Sequence, residues 1–210
     1  MMMTAVCAAT GLLLGPSAAP TLARGQVHRE RSFVPPALVG ALRSEIRQRK
    51  FNVAESFSSD GQQDDLRSAF TCKPDINEPA FSVLYDMIDD VRLELQSSLG
   101  PLSPGVEASF VVYPPDGFYK RHIDSLGGVD AEGSGRRRVS FICYLTESKR
   151  AWTHEDGGAL RCFRGEDTDE FFDVLPESGS LVLFDSKLVW HEVRPTRRER
   201  TCLVGWFRSA

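Results

Sequence analysis

The chain has 210 residues, 41% hydrophobic and 26% charged, a balance that one globular domain accommodates without metal or disulfide staples. Its formal net charge of −4 argues against nucleic acid as the main partner, because phosphate binding needs a basic surface. The five cysteines (Cys7, Cys72, Cys143, Cys162 and Cys202) contain no CxxC pair, which excludes a zinc ribbon and a dense disulfide framework.

Residues 1–29 hold no Asp or Glu, and an apolar stretch from Ala5 to Gly15 precedes small residues and then Arg24, Arg29 and Arg31. That composition fits a secretory leader, an organelle transit segment or a plain tail, so residues 1–32 are set apart from a single domain over 33–210. No apolar run reaches the length of a transmembrane helix. The spacing of Leu38, Leu42 and Ile46 predicts a helix over 36–50, opened by Pro36. Residues 52–76 are polar and aperiodic and read as a long loop. Phe81, Leu84, Tyr85, Ile88, Val91, Leu95 and Leu99 predict a second helix over 79–99, stopped by Gly100-Pro101.

From residue 105 the period changes to two. Strands are expected at Glu107–Tyr113, Arg138–Leu145, Ala159–Phe163, Phe171–Val174, Ser180–Phe184, Val189–Val193 and Thr201–Phe207, separated by Gly- and Pro-rich turns. Many short strands without intervening helices indicate a mainly β fold. We expect a jelly-roll barrel, or double-stranded β-helix, over 105–210, with the helical part 33–104 packed on it. Cys143, Cys162 and Cys202 lie in apolar strand runs and read as small buried hydrophobes. Arg136-Arg137-Arg138 and the group Arg194, Arg197 and Arg198 read as solvated strand ends and loops. Asp169, Glu170 and Asp173 read as an exposed acidic turn, and His154 as an exposed histidine able to touch substrate at a rim.

His122, Asp124 and His191 carry the chemical signal. Spacing of two on an extended backbone points the side chains of His122 and Asp124 the same way. Two imidazoles and one carboxylate form the facial triad of non-haem Fe(II) oxygenases, which leaves metal positions open. Arg200 follows His191 on the last strand, and a short turn between adjacent strands is expected to bring the two side by side. Arginine is the natural bidentate partner of a carboxylate. By parity Arg200, Cys202, Val204 and Trp206 share one strand face, and Ser140, Ile142 and Tyr144 share another.

The stretch from Tyr113 to Phe207 resembles the 2-oxoglutarate/Fe(II)-dependent oxygenases of the prolyl 4-hydroxylase superfamily. Within it, the nearest look is to the prolyl hydroxylase domain enzymes that modify hypoxia-inducible factor. The resemblance is carried by Tyr113-Pro114, Tyr119-Lys120-Arg121-His122-Ile123-Asp124, Ile142-Cys143-Tyr144-Leu145-Thr146, Gly157-Gly158-Ala159-Leu160-Arg161, and His191-Glu192-Val193-Arg194-Pro195 leading to Arg200 and Trp206-Phe207. It implies that His122, Asp124 and His191 hold iron. It also implies that Arg200 clamps the distal carboxylate of 2-oxoglutarate, with Tyr144 donating to that carboxylate. Tyr113 is expected near the iron-side end, and Ile142, Leu160, Val193 and Trp206 along the apolar wall.

The implied activity is hydroxylation, foremost of prolyl residues in a protein, with 2-oxoglutarate decarboxylated to succinate and CO2. Fe(II), O2 and 2-oxoglutarate are the expected cofactors, with ascorbate as reductant. A protein or peptide substrate is the expected partner. The same chemistry on another residue or a small molecule is an alternative, as is a non-catalytic jelly-roll metal sensor. Two departures from the hypoxia-type pattern stand out. Val204 replaces a threonine near the co-substrate, and Asp64-Asp65-Leu66-Arg67-Ser68 stands in the loop where those enzymes carry their arginine-glycine-aspartate signature.

Overall fold

A computed structural model of the chain describes residues 14–54, 66–125, 136–147 and 149–210. In chain order these form α1 (Ala18–Ala23), β1 (His28–Glu30), α2 (Pro36–Arg47), β2 (Asn52–Val53), β3 (Arg67–Ser68), β4 (Phe70–Cys72) and α3 (Pro79–Leu99). Then come β5 (Glu107–Tyr113), β6 (Phe118–His122), β7 (Arg137–Tyr144), β8 (Leu160–Phe163), β9 (Phe171–Val174), β10 (Leu181–Asp185), β11 (His191–Val193) and β12 (Arg200–Arg208). The strands make two antiparallel sheets, ordered β1-β10-β7-β12-β5-β4-β2 and β3-β6-β11-β8-β9. They face each other as the jelly roll that the strand spacing predicts.

Alternation divides the apolar residues between two cores. Val139, Phe141 and Cys143 of β7 and Leu203 and Phe207 of β12 face the helices and join Leu42, Leu84, Ile88 and Leu95. Ile142, Tyr144, Cys202, Val182 and Phe184 face inward and meet Leu160, Cys162 and Val193 of the smaller sheet. An added Cβ at Gly205 would collide with the Phe141 ring and the Glu107 carbonyl, so β12 lies too close to its neighbours for a side chain there. Both long helices open with proline. Glu45 of α2 accepts from the Ala80 and Phe81 amides at 2.7 and 3.1 Å, which caps α3 from outside and fixes the helix pair.

The structure departs from the sequence reading at several places. Strand β6 was not expected, because Phe-Tyr-Lys-Arg-His has no apolar alternation and its inner positions are functional. The loop expected over 52–76 contains β2, β3 and β4; residues 55–65, with Asp64 and Asp65, lie outside the described residues. The part of the 1–32 segment from Leu14 onward is integral to the fold. Leu14, Ala18 and Leu22 are buried, and β1 pairs with β10.

Several arginines are also not the solvated groups expected. Arg138 pairs with Asp185, and Arg198 pairs with Asp156 and packs on Trp152. Asp173 sits in β9 and takes a two-point ion pair from Arg161 at 2.9 and 3.0 Å. Asp169, Glu170, Arg194, Arg197 and His154 are exposed as expected. Cys143, Cys162 and Cys202 are buried free thiols, and Cys72 is a half-buried one.

Candidate active site

The last residue of β6 and the first of β11 are register partners, which sets His122 opposite His191 with ring centroids 4.2 Å apart. Asp124 lies two residues beyond β6. The Ser186 carbonyl holds the turn by accepting from the Asp124 and Ser125 amides at 3.1 and 3.0 Å. Oδ1 of Asp124 stands 3.5 Å from His122 Nε2 and 3.9 Å from His191 Nε2. One ligand atom from each residue falls within 4.8 Å of the others.

The Nδ1 atoms face the carbonyls of Lys120 and Val189 at 2.8 and 3.0 Å. A carbonyl only accepts, so each Nδ1 carries the proton and each Nε2 offers its lone pair to the cluster. Burial pushes the pKa of His191 down to about 4, aided by the nearby His122 imidazole and opposed by the Asp124 carboxylate and the Val189 carbonyl. Burial acts to raise the pKa of Asp124, yet the two imidazoles and the Ser140 hydroxyl outweigh it and hold the carboxyl well below its usual range. At neutral pH His191 is therefore a neutral ligand and Asp124 an anionic one. This donor set fits a divalent first-row metal such as Fe(II).

Arg200 does not lie beside His191 on an adjacent strand, as the short connection suggested. β11 belongs to the smaller sheet and β12 to the larger, so the two residues face each other from opposite walls of the barrel. The Arg200 side chain is 1% exposed and has no carboxylate partner among the described residues. Its Nε has no hydrogen-bond partner among the described residues. Its guanidinium sits 4.8 and 5.0 Å from the ring centroids of Tyr113 and Tyr144, and Nη2 reaches the Tyr144 hydroxyl at 3.4 Å. Burial pushes the Tyr144 phenol up to about 12, so it remains a donor. A buried arginine without a counter-ion is costly, and a carboxylate ligand removes that cost. The site thus fits a metal at one end and an acid at the other.

Both ends open into one cavity of about 300 Å³. Tyr113, Ile142, Leu160, Val193 and Trp206 line it; Tyr144 is not among the lining residues but meets Arg200 through its hydroxyl. Sequence reasoning missed four further lining residues, Arg67 and Tyr119 on the smaller sheet and Glu107 and Arg137 on the larger. Tyr119 stacks on His122 with centroids 3.7 Å apart. Arg137 lies 3.5 Å from the Trp206 ring centroid and is held by Glu107 at 2.6 Å. The parity of β7 gave no warning for Arg137, because the β7–β12 register is irregular between Phe207 and Arg208.

A family model of the 2OG-Fe(II) oxygenase superfamily matches residues 108–208. The structure is similar to that of a prolyl-4-hydroxylase from Pseudomonas putida, with 34% identity, a TM-score of 0.76, and 92% of this chain and 98% of that one covered. It is also similar in fold to a Trichoplax adhaerens prolyl hydroxylase solved with a hypoxia-inducible factor peptide fragment, with 20% identity, a TM-score of 0.74, and 91% and 87% of the two chains covered. A prolyl 3,4-dihydroxylase of Ostreococcus tauri is 27% identical over 120 residues, which are 52% of this chain and 22% of that protein. The chain therefore spans about a fifth of the length of that curated relative.

Proposed function

This chain belongs to the 2OG-Fe(II) oxygenase superfamily, and from that membership we propose that it hydroxylates prolyl residues of a polypeptide while converting 2-oxoglutarate to succinate and CO2. The observation that carries the reading is the joint presence, in one cavity, of the His122, Asp124 and His191 cluster and a buried arginine, Arg200, that has no carboxylate partner among the described residues.

His122, Asp124 and His191 would hold Fe(II). When bound, the metal with O2 and 2-oxoglutarate supplies the oxidising chemistry that places oxygen on a C–H bond, which no side chain provides. The protein's part is binding and orientation. The Arg200 guanidinium would bind one carboxylate of the co-substrate by charge-assisted N–H donors, and the Tyr144 phenol beside it would add an O–H donor. Ile142, Leu160 and Val193 keep that end apolar, which strengthens the charge pairing and excludes water. Two imidazole ligands and one carboxylate would leave a divalent metal with a net positive charge for an anionic co-substrate. We include ascorbate as the reductant that maintains the ferrous state.

The experiment is an anaerobic absorption titration with Fe(II) and then 2-oxoglutarate, on the native chain and on His191→Ala. A visible charge-transfer band in the first and none in the second is expected. Under air, succinate should form, and proline-containing peptides should yield hydroxyproline. Succinate without hydroxyproline from any peptide would remove the prolyl assignment. Failure to bind both Fe(II) and 2-oxoglutarate would remove the oxygenase.

A further inference from the structure

The charged groups lining the cavity do not balance. Among the described residues three arginines line it, Arg67, Arg137 and Arg200, against two carboxylates, Glu107 and Asp124. Glu107 is committed to Arg137 at 2.6 Å and to Arg208 at 2.5 Å. Asp124 is committed to the histidine cluster and Ser140. A divalent metal brings two positive charges and 2-oxoglutarate two negative ones, so loading the site leaves the net charge unchanged. With Arg200 answered by the co-substrate, the lining cation left over among the described residues is Arg67.

Arg67 is placed to meet a second ligand. It lies on β3, the edge strand of the smaller sheet, in register with Tyr119. Its guanidinium sits 4.9 Å from the Tyr119 ring centroid, and the same ring stacks on His122. One aromatic residue thus touches both Arg67 and a candidate metal ligand. Among the described residues Arg67 makes no ion pair, and its Nε is buried without an acceptor. The indole Nε1 of Trp206, which also lines the cavity, is another buried donor without an acceptor among the described residues. With Arg200 answered by the co-substrate, the buried lining atoms that lack a partner among the described residues are both donors, one of them charged. Buried donors left unmatched are costly, so the complementary ligand is one that brings acceptors and a negative charge.

We propose that Arg67 makes this site selective for acidic polypeptides, its guanidinium pairing with an Asp or Glu side chain beside the target proline while Trp206 Nε1 donates to a main-chain carbonyl. The inference rests on the oxygenase reading above and narrows its substrate class.

The test uses two labelled alanine-rich peptides that differ only in Glu-Pro-Glu against Gln-Pro-Gln. Their binding to the full chain, loaded with Mn(II) and 2-oxoglutarate under nitrogen, is followed by fluorescence anisotropy. The acidic peptide should bind about tenfold more tightly, as expected for one charge-assisted pair. Arg67→Gln should bind the two peptides alike, and Arg67→Lys should retain part of the preference. Trp206→Phe should weaken both peptides equally.

Equal binding of the two peptides to the native chain, a preference that persists in Arg67→Gln, or binding of neither peptide would overturn the proposal. A loss of 2-oxoglutarate affinity in Arg67→Gln with the peptide preference intact would reassign Arg67 to the co-substrate and overturn it as well. The charge-transfer titration reports on the oxygenase reading separately, so a normal band without an acidic preference fails this inference alone.

Discussion

Ser140 donates a 2.6 Å hydrogen bond to Oδ2 of Asp124, and its hydroxyl lies 2.8 Å from that of Ser186. Both serines are fully enclosed. The pair holds the carboxylate of the candidate metal cluster and leaves Oδ1 turned toward the two imidazoles. Groups of this kind set ligand orientation, and their loss costs roughly 10- to 100-fold in metal affinity. Ser140→Ala should weaken Co(II) binding by that order while the chain stays folded. Ser140→Thr, which keeps the hydroxyl, should restore it. Titration of the cobalt visible spectrum reads both variants, and unchanged affinity in Ser140→Ala would show that the turn at Ser186 positions Asp124 unaided.

Arg200 and the metal cluster stand on opposite sheets, so their functions should separate by mutation. Truncating one partner of a buried, hydrogen-bonded charge pair costs about 2–5 kcal/mol, equivalent to at least about 30-fold in affinity. Arg200→Ala should therefore raise the 2-oxoglutarate requirement by that factor or more and leave metal affinity near its native value. Arg200→Lys should fall between, because a single ammonium cannot reproduce the planar fork. Isothermal titration with Mn(II), and then with 2-oxoglutarate, tests both halves. Normal co-substrate affinity in Arg200→Ala would remove the role assigned to this residue.

Much of this architecture was legible in the sequence because the barrel buries one strand face against the helices and the other against the opposite sheet. Ile142, Tyr144, Cys202 and Val204 fall on the inner face by simple alternation, and α3 follows from its seven apolar positions. Strand β6 was not legible because its inward residues are Tyr119 and His122, chosen for the site rather than for burial. The relation between His191 and Arg200 was misjudged because chain proximity does not reveal which sheet a strand joins. Arg67 was passed over because β3 has two residues and no pattern of its own. Its meaning appears only when the cavity charges are set against one another.

Acid should weaken the fold through His191. Its pKa is about 4 in the folded chain against 6.5 as the ordinary value, so the unfolded chain binds the extra proton first. The associated stability is fully present above about pH 6.5 and is lost progressively as pH falls toward about 4. Urea unfolding of metal-free protein should show a lower midpoint at about pH 5 than at about pH 7. His191→Gln should flatten that difference. Metal affinity of the folded chain should decline only as pH approaches about 4, where protons begin to compete for His191 Nε2. A midpoint independent of pH in the native chain would mean that His191 is no harder to protonate folded than unfolded.

The N-terminal segment should prove to be a structural part of the barrel. β1 covers the edge of β10 through His28↔Leu183 and Glu30↔Leu181. Arg29 ties it to Glu177 at 2.6 Å, and Glu30 accepts from the Gly15 amide at 3.0 Å. Leu14 and Leu22 are each 2% exposed, and burying one leucine contributes about 1.5–3 kcal/mol. A chain beginning at Ser32 should therefore lose at least about 3 kcal/mol, a large share of the stability of a typical domain. It should also associate through the bared β10 edge. β10 pairs in turn with β7 at Val182↔Ile142 and Phe184↔Ser140, so the loss reaches the wall that holds Asp124 and the co-substrate pocket. Urea unfolding and size-exclusion chromatography of the shortened chain read the first two effects, and 2-oxoglutarate titration reads the third. Native stability without β1 would show that β10 tolerates an open edge, and would make the segment dispensable to the catalytic barrel.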